Sequence, residues 1–306
     1  MHGCARSSVP ETPGLDVANG FCVRRAWASS WARDRPDRAA YALAVSSWDV
    51  EVRGAVAAAT FRRPPRNFMS FAAMGELERL LTDVSGRDDV SVVVITGGLP
   101  GYFVAHADLE DLSRLGRGEA VEGDPASWGR TLALIETMPQ PVIAAVNGQA
   151  WGGGCELSLA CTLRVAARSA HLGQPEVNVG IIPGAGGTQR LARLVGPGRA
   201  AELILSGRIV GAEEAHAIGL VEAVLPDDDF LDRTVEWAGP LAAKPRFALA
   251  AAKRAIVEGL RLPFEEGLRL EGRLFVECQR DARAVDLEGQ ALRRYRETPP
   301  DASVEL

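Results

Sequence analysis

Two glutamates lie on separate glycine-rich stretches that carry few other charges. One is Glu156 in Gly152-Gly153-Gly154-Cys155-Glu156-Leu157, and the other is Glu176 in Gly173-Gln174-Pro175-Glu176. An apolar environment raises the pKa of a carboxyl group, so that it can exchange protons near neutral pH. Acid/base catalysis uses one group that accepts a proton and another that donates one. The two stretches therefore indicate acid/base chemistry if the fold brings them together.

Both glutamates also have a purely structural interpretation. Glu156 falls in the first turn of a predicted helix, where the helix dipole favours an acid and lowers its pKa. Glu176 could equally be a residue on the surface of a loop. The sequence leaves open which effect on the pKa of Glu156 is larger.

The glycine run before Glu156 connects a predicted strand, Pro141–Val146, to a helix that begins at about Gly154. Backbone N–H groups at a helix start have no partner within the helix, and with the helix dipole they attract negative charge. The run matches neither the phosphate loop nor the dinucleotide-binding fingerprint. It is therefore either an anion hole or a turn that allows close packing.

The elements that would position these residues alternate between strands and helices, which is typical of α/β architecture. Residues 42–52 and 55–61 predict a pair of strands, Ser70 and Gly86 bound a helix, and Val90–Ile95 predicts a strand covered on both faces. Further on, the pattern predicts a helix over Ala126–Met138, strands over Leu163–Ala167 and Val177–Ile182, and helices over Gln189–Ser206, Ala212–Ile218, Phe230–Val257 and about Gln279–Arg296.

Composition excludes several classes of protein. The chain has 306 residues, 47% of them apolar, and its 34 basic and 40 acidic residues give a net charge of −6. A disordered chain is excluded, and no global positive field exists to attract nucleic acid or an anionic membrane surface. No apolar run approaches the roughly 20 residues of a membrane helix. Five scattered cysteines and an N-terminus unlike a secretion signal predict a cytoplasmic protein.

Several motifs, in order and spacing, resemble the crotonase or enoyl-CoA hydratase superfamily between about Val50 and Ala284. They are Pro141-Val142-Ile143-Ala144-Ala145-Val146-Asn147-Gly148, Gly152-Gly153-Gly154-Cys155-Glu156-Leu157, Gly173-Gln174-Pro175-Glu176, Ile182-Pro183-Gly184-Ala185-Gly186-Gly187-Thr188-Gln189-Arg190-Leu191, and Gly211-Ala212-Glu213-Glu214-Ala215. The resemblance implies a crotonase-like ββα spiral core over residues 41–206 and a helical C-terminal trimerisation region over residues 207–306. Residues 1–40 are interpreted as an N-terminal extension.

The resemblance also implies roles for individual residues. The backbone N–H groups of Ala107 and Gly153 would form an oxyanion hole for a thioester carbonyl. Glu156 would activate water for attack at C3 of a 2-enoyl-CoA, and Glu176 would donate a proton at C2. The residues implied to contact coenzyme A are Arg62, Arg66, Ala105 and Asp108.

Three positions depart from the family's pattern. His106 stands where the family often has glycine, and Trp151 replaces the usual aliphatic residue before the three glycines. The turn Arg62–Asn67 looks one residue shorter than the turn that helps to hold coenzyme A in the family. Its arginines could contact a phosphate, or they could be solvated charges on a loop. The acyl-chain preference is left open.

The expected activity is hydration of a 2-enoyl-CoA to a 3-hydroxyacyl-CoA in fatty-acid β-oxidation. No metal or other cofactor is expected, because coenzyme A is part of the substrate and the four histidines show no ligand spacing. The acyl-CoA thioester is the expected partner, with a homotrimer or homohexamer as the assembly and no nucleic acid or membrane. The alternatives are another crotonase reaction such as enoyl-CoA isomerisation, a non-catalytic or RNA-binding relative, and, more distantly, a serine peptidase of related fold.

Overall fold

A computed structural model describes residues 46–299 and 302–304. The predicted extension at residues 1–40 lies outside the described residues. The strands within them are β1 Trp48–Arg53, β2 Val56–Phe61, β3 Phe68–Met69, β4 Val92–Gly97, β5 Gly101–Tyr102, β6 His106–Ala107, β7 Val142–Val146, β8 Gly148–Trp151, β9 Leu163–Ala167, β10 His171–Gly173, β11 Ile209–Gly211 and β12 Ala223–Leu225.

The strands form a six-stranded sheet, a four-stranded sheet and a two-stranded pair. The six strands run in the order β1-β2-β4-β7-β9-β12, and every neighbouring pair except β1 and β2 is parallel. Residues Val92–Ile95 of β4 and all of β7 are buried, as expected for strands covered on both faces. The smaller sheet has the order β11-β10-β8-β5, in which β8 precedes the helix of Glu156 and β10 precedes the turn of Glu176; Ala107 lies in the pair β3-β6.

The helices pack against these sheets and continue to the C-terminal end of the described residues. They are α1 Phe71–Ser85, α2 Leu109–Gly116, α3 Ser127–Thr137, α4 Gly153–Ala160, α5 Gly187–Val195, α6 Pro197–Ser206, α7 Ala212–Ala217, α8 Phe230–Ala242, α9 Arg246–Gly259, α10 Phe264–Gln279 and α11 Ala282–Glu297. The prediction for α1 is confirmed at both ends: the Ser70 side chain accepts a hydrogen bond from the Ala73 N–H, and Gly86 is the C-cap. Its apolar stripe of Met74, Leu77 and Leu81 is fully buried.

The predicted strand over Val177–Ile182 is wrong. Residues Glu176–Val179 form one turn of 3-10 helix, which ends at Gly180 in the left-handed conformation with φ of 77°. Prolines at 175 and 183 lie close to both ends of this stretch, and each lacks the N–H that a central strand would need. Three of its apolar side chains, Val179, Ile181 and Ile182, line a cavity.

Two predicted helices are each divided in two. Gln189–Ser206 is interrupted by Gly196, whose φ of 87° ends α5, and Pro197 then begins α6. Phe230–Val257 is interrupted before Pro245, where α8 has ended and α9 has not begun.

The division of the chain into a core and a helical region at residue 206 stays a prediction. Strand β12 follows that residue and pairs with β9 in the larger sheet.

Candidate active site

A cavity of about 470 Å³ lies beside the first turn of α4. Glu156, Glu176, Ala107 and Gly153 all line it, so the fold brings together the four residues predicted to act on the substrate. Most of the other lining residues are apolar, and two of them are tryptophans. A concave, largely apolar site with a few convergent polar groups is the usual form of a small-molecule site.

Glu156 is 3% exposed and lies in the first turn of α4. Its Oε1 accepts hydrogen bonds from the backbone nitrogens of Ala185, at 2.7 Å, and Gly187, at 2.8 Å. Burial raises the pKa of this carboxyl group, while the two backbone donors and the positive charge of Arg190 oppose the rise; the net direction is upward. Burial therefore outweighs the hydrogen bonds and the positive charge that act on this carboxyl group.

Arg190 holds the loop that supplies those two donors. Its Nη1 donates to the carbonyl oxygen of Ala185 at 2.7 Å, and its Nε donates to Oε1 of Glu136 at 2.7 Å. A β-carbon on Gly186 would lie 2.2 Å from the Arg190 Nη1, and Gly186 has a φ of 99°. The sequence assigned no role to Arg190, although this residue stands in the motif Ile182–Leu191 that resembles the family.

Glu176 begins the 3-10 turn after β10, where it is half-buried. Burial raises its pKa to about 7, its own backbone N–H opposes the rise, and the charge of Glu156 adds to it. With the amide nitrogen of Gln174 facing the carboxyl group, Gln174 donates to Oε1 at 2.8 Å and to Oε2 at 3.2 Å. Gln174 is fully buried, and these two hydrogen bonds hold the side chain of Glu176 in place.

The glycine run allows close packing, one of the two interpretations that its sequence left open; the anion hole stays a prediction. Gly154 permits close packing, because a β-carbon there would lie 1.8 Å from the carbonyl oxygen of Val104. A β-carbon on Gly153 would lie 3.1 Å from the backbone nitrogen of Ala107, so these two residues are direct neighbours. Gly153 is the first residue of α4, and its N–H therefore has no acceptor within the helix.

The family model for enoyl-CoA hydratase/isomerase matches residues 51–300. The chain belongs to the enoyl-CoA hydratase/isomerase family. It is 42% identical to the putative enoyl-CoA hydratase/isomerase YngF of Bacillus subtilis, over 71% of this chain and 83% of that protein. It is 41% identical to a crotonyl-CoA hydratase of Syntrophomonas wolfei, over 66% of this chain and 78% of that protein.

A solved structure of the family has the same fold. The crystal structure of an enoyl-CoA hydratase from Bacillus anthracis superposes with a TM-score of 0.74 at 38% identity and covers 82% of this chain and 96% of that one. The expected crotonase-like α/β fold with C-terminal helices is thereby confirmed.

Among residues 46–299 and 302–304, no helix is long and apolar enough to cross a membrane, and no group of three His, Cys, Asp or Glu side chains could hold a metal ion.

The four residues predicted from the family to contact coenzyme A do not line the cavity. Arg62 and Arg66 are exposed on the turn before β3. Asp108 caps α2, where it accepts a hydrogen bond from the Glu110 N–H at 3.0 Å and one from Arg63 Nη1 at 2.7 Å. Ala105 is fully buried; its N–H donates to the Asn67 carbonyl and its carbonyl accepts from the Trp151 N–H, both at 3.0 Å.

The two residues that depart from the family's pattern both line the cavity. His106 stacks on Phe68 with ring centroids 4.3 Å apart, and its Nδ1 lies 2.6 Å from the carbonyl oxygen of Ala107. Trp151 packs against His171 with ring centroids 5.4 Å apart. The Trp151 Nε1 is buried and has no hydrogen-bond partner within the described part of the chain.

Proposed function

We propose that this protein is an enoyl-CoA hydratase, which adds water across the 2,3 double bond of a 2-enoyl-CoA to give a 3-hydroxyacyl-CoA. The observation that carries the proposal is the presence of two carboxyl groups with raised pKa, Glu156 and Glu176, in one cavity beside the neighbouring residues Ala107 and Gly153. The name of the Syntrophomonas wolfei relative, crotonyl-CoA hydratase, supports the same reaction.

The backbone N–H groups of Ala107 and Gly153 would receive the thioester carbonyl oxygen. When water attacks C3, the electrons of the double bond move towards C1, and negative charge collects on that oxygen as an enolate forms. The N–H of Gly153 lies at the N-terminal end of α4, where the helix dipole adds positive potential. Fixed donors of this kind are typically worth a hundredfold to a thousandfold in rate each.

The two glutamates would move the protons. Glu156, in its ionised form, takes a proton from water as the oxygen bonds to C3. Glu176, in its protonated form, gives a proton to C2 as the enolate reverts to the thioester carbonyl. The sum is the addition of one water molecule without any change in oxidation state. Exchange of protons with solvent then returns both carboxyl groups to their starting forms.

Coenzyme A is part of the substrate in this reaction, so we propose no further cofactor and no metal. Arg62 and Arg66 would meet its phosphates, and the Ala105 and Asp108 segment would border its arm. The salt bridge between Arg63 and Asp108 supports this assignment because it joins the arginine turn to the start of α2, at the edge of the cavity.

We also propose assembly as a homotrimer or homohexamer in the cytoplasm and a place in β-oxidation of fatty acids. Large apolar side chains exposed on the C-terminal helices support self-association: Ile256, Leu260, Phe264, Phe275 and Val285. Light scattering on the purified protein measures the assembly directly.

The reaction is tested by following loss of the conjugated thioester absorbance of crotonyl-CoA. Glu156→Gln and Glu176→Gln should each lower kcat by about a hundredfold or more, because each removes one proton-transfer group. Glu202→Gln is the matched control, since Glu202 is exposed, pairs with Arg208 and lies outside the cavity lining. Near-normal turnover in both cavity variants would refute the assignment, and turnover of 3-enoyl-CoA alone would indicate isomerisation instead.

A further inference from the structure

Six aliphatic side chains line the cavity and stay at least partly exposed among the described residues. Leu109, Leu112 and Leu115 come from α2, and Val179, Ile181 and Ile182 come from the segment after Glu176. Five of the six are between 43% and 69% exposed, and Leu112 is half-buried. We refer to these six residues as the aliphatic rim.

The position of the leucines on α2 is unusual for a helix in a folded domain. They recur every three residues, which places them on one side of α2, and an apolar side normally packs into the core. No residue of α2 is buried. The apolar side of α2 therefore faces the cavity, where Leu112 packs partly against the core and Leu109 and Leu115 stay exposed.

The cavity is much larger than a short acyl group requires. At about 30 Å³ for each water-sized group, 470 Å³ holds roughly fifteen non-hydrogen atoms. A butenoyl group has only four carbons and one oxygen. With the thioester sulfur and the first atoms of the coenzyme A arm also inside, roughly a third to a half of this space would remain for further atoms of the acyl chain.

The charge of the lining limits what can fill it. Glu156, Glu176 and His106 are its ionisable groups within the described residues, and no lysine or arginine is among them. A terminal carboxylate on the acyl chain would therefore find no cationic partner and would lie near two acids. An uncharged hydrocarbon tail would instead cover apolar surface that water otherwise contacts.

We propose that the aliphatic rim is the binding site for an uncharged acyl tail, so that the enzyme favours 2-enoyl-CoA substrates of about eight carbons or more over crotonyl-CoA. This inference rests on the proposed function, since it places the thioester between Glu156 and Glu176. Each methylene that enters the rim should tighten binding by up to about fourfold, the equivalent of about 0.8 kcal/mol.

The test uses saturated acyl-CoA esters, which bind without reacting, so that it does not depend on the hydratase activity. Calorimetry should give a dissociation constant for decanoyl-CoA at least tenfold below that for butyryl-CoA. Leu115→Asp and Ile182→Asp, on the two parts of the rim, should each reduce this ratio about tenfold. Leu205→Asp is the matched control, because Leu205 is exposed on α6 and does not line the cavity; it should leave the ratio unchanged.

The outcomes separate this inference from the proposed function. Tighter binding of decanoyl-CoA without hydration of any 2-enoyl-CoA would support the rim and reject only the reaction. Hydration of crotonyl-CoA together with equal binding of butyryl- and decanoyl-CoA would reject only the rim. A change of oligomeric state in the two rim variants, with an unchanged binding ratio, would overturn the inference and assign these side chains to contacts between copies.

Six-carbon substrates test the charge argument: 2-hexenoyl-CoA should be turned over at least tenfold faster than 2,3-dehydroadipyl-CoA.

Discussion

The carbonyl oxygen of Val104 occupies the space that a side chain on Gly154 would need, since a β-carbon there would lie only 1.8 Å away. Val104 precedes β6 and Gly154 lies in the first turn of α4. This contact therefore sets how closely the two segments approach, and with it the placement of Ala107 beside Gly153.

Gly154→Ala should lower kcat by about a hundredfold, because the added methyl group would push α4 away from residues 103–105 and separate the two proposed oxyanion donors. The measurement is steady-state hydration of crotonyl-CoA, with circular dichroism to show that the variant is folded. Gly129→Ala is the control: Gly129 is an exposed residue of α3 where a β-carbon meets nothing within 4 Å. A folded Gly154→Ala enzyme with normal turnover would show that the contact does not position the donors.

The hydration rate should depend on pH through both glutamates. Glu176 must be protonated, and its pKa is raised to about 7, so kcat/KM should fall about tenfold per pH unit above that value. Glu156 must be ionised, and because burial raises its pKa, the acidic limb should lie above 4.5, the ordinary value. The two limbs belong to the coupled pair rather than to single residues. A kcat/KM that stays constant from pH 6 to pH 9 would contradict the assignment of Glu176 as the acid.

The sequence predicted those parts of the fold that depend on local pattern. The apolar spacing and caps of α1, the buried strands β4 and β7 and the start of α4 are confirmed, whereas the strand β8 between β7 and α4 was not predicted. The strand predicted over Val177–Ile182 was wrong because Val179, Ile181 and Ile182 line a cavity. The pattern typical of a strand assumes instead that apolar residues pack into a core. The family resemblance was needed to choose between the catalytic and structural interpretations of the glutamates.

The supports of the site could not be predicted because they join residues that are distant in the chain. Arg190 contacts Glu136, 54 residues away, and the backbone donors to Glu156 lie 29 and 31 residues after it. Neither contact has a local signature in the sequence. The direction of the Glu156 pKa depends on burial, which is likewise a property of the complete fold.

Arg190→Met should act through Glu156 without removing it. Loss of the guanidinium frees the Ala185 carbonyl and removes a positive charge that lowers the pKa of Glu156, so this pKa should rise further. We expect kcat near neutral pH to fall about tenfold and the acidic limb of the pH profile to move to higher pH. Arg193→Met, also on α5, is the control, because Arg193 is exposed and donates to Gln189, four residues before it on the same helix. A lower kcat with an unmoved acidic limb would indicate a general loss of structure.

Glu176→Gln should stabilise the folded protein at alkaline pH while it removes activity. The folded-state pKa of Glu176 is about 7 and its unfolded value about 4.5, so ionisation of the wild type costs stability progressively between these two values. Above pH 7 the full cost applies, about 1–2 kcal/mol after allowance for partial exposure, and below pH 4.5 it disappears. The variant should therefore melt about 2–5 °C higher than wild type at pH 8, with a much smaller difference at pH 5.

Glu202→Gln is the control for this stability effect. Its hydrogen bond to Arg208 lowers the pKa of Glu202, so neutralising that residue should not raise Tm at pH 8. Scanning calorimetry at pH 5 and pH 8 on the three proteins gives the comparison. An equal rise in Tm for Glu176→Gln at pH 5 and pH 8 would mean that the gain comes from packing or hydrogen bonding. Ionisation of a carboxyl group with a raised pKa instead makes the Tm difference between variant and wild type grow as the pH increases.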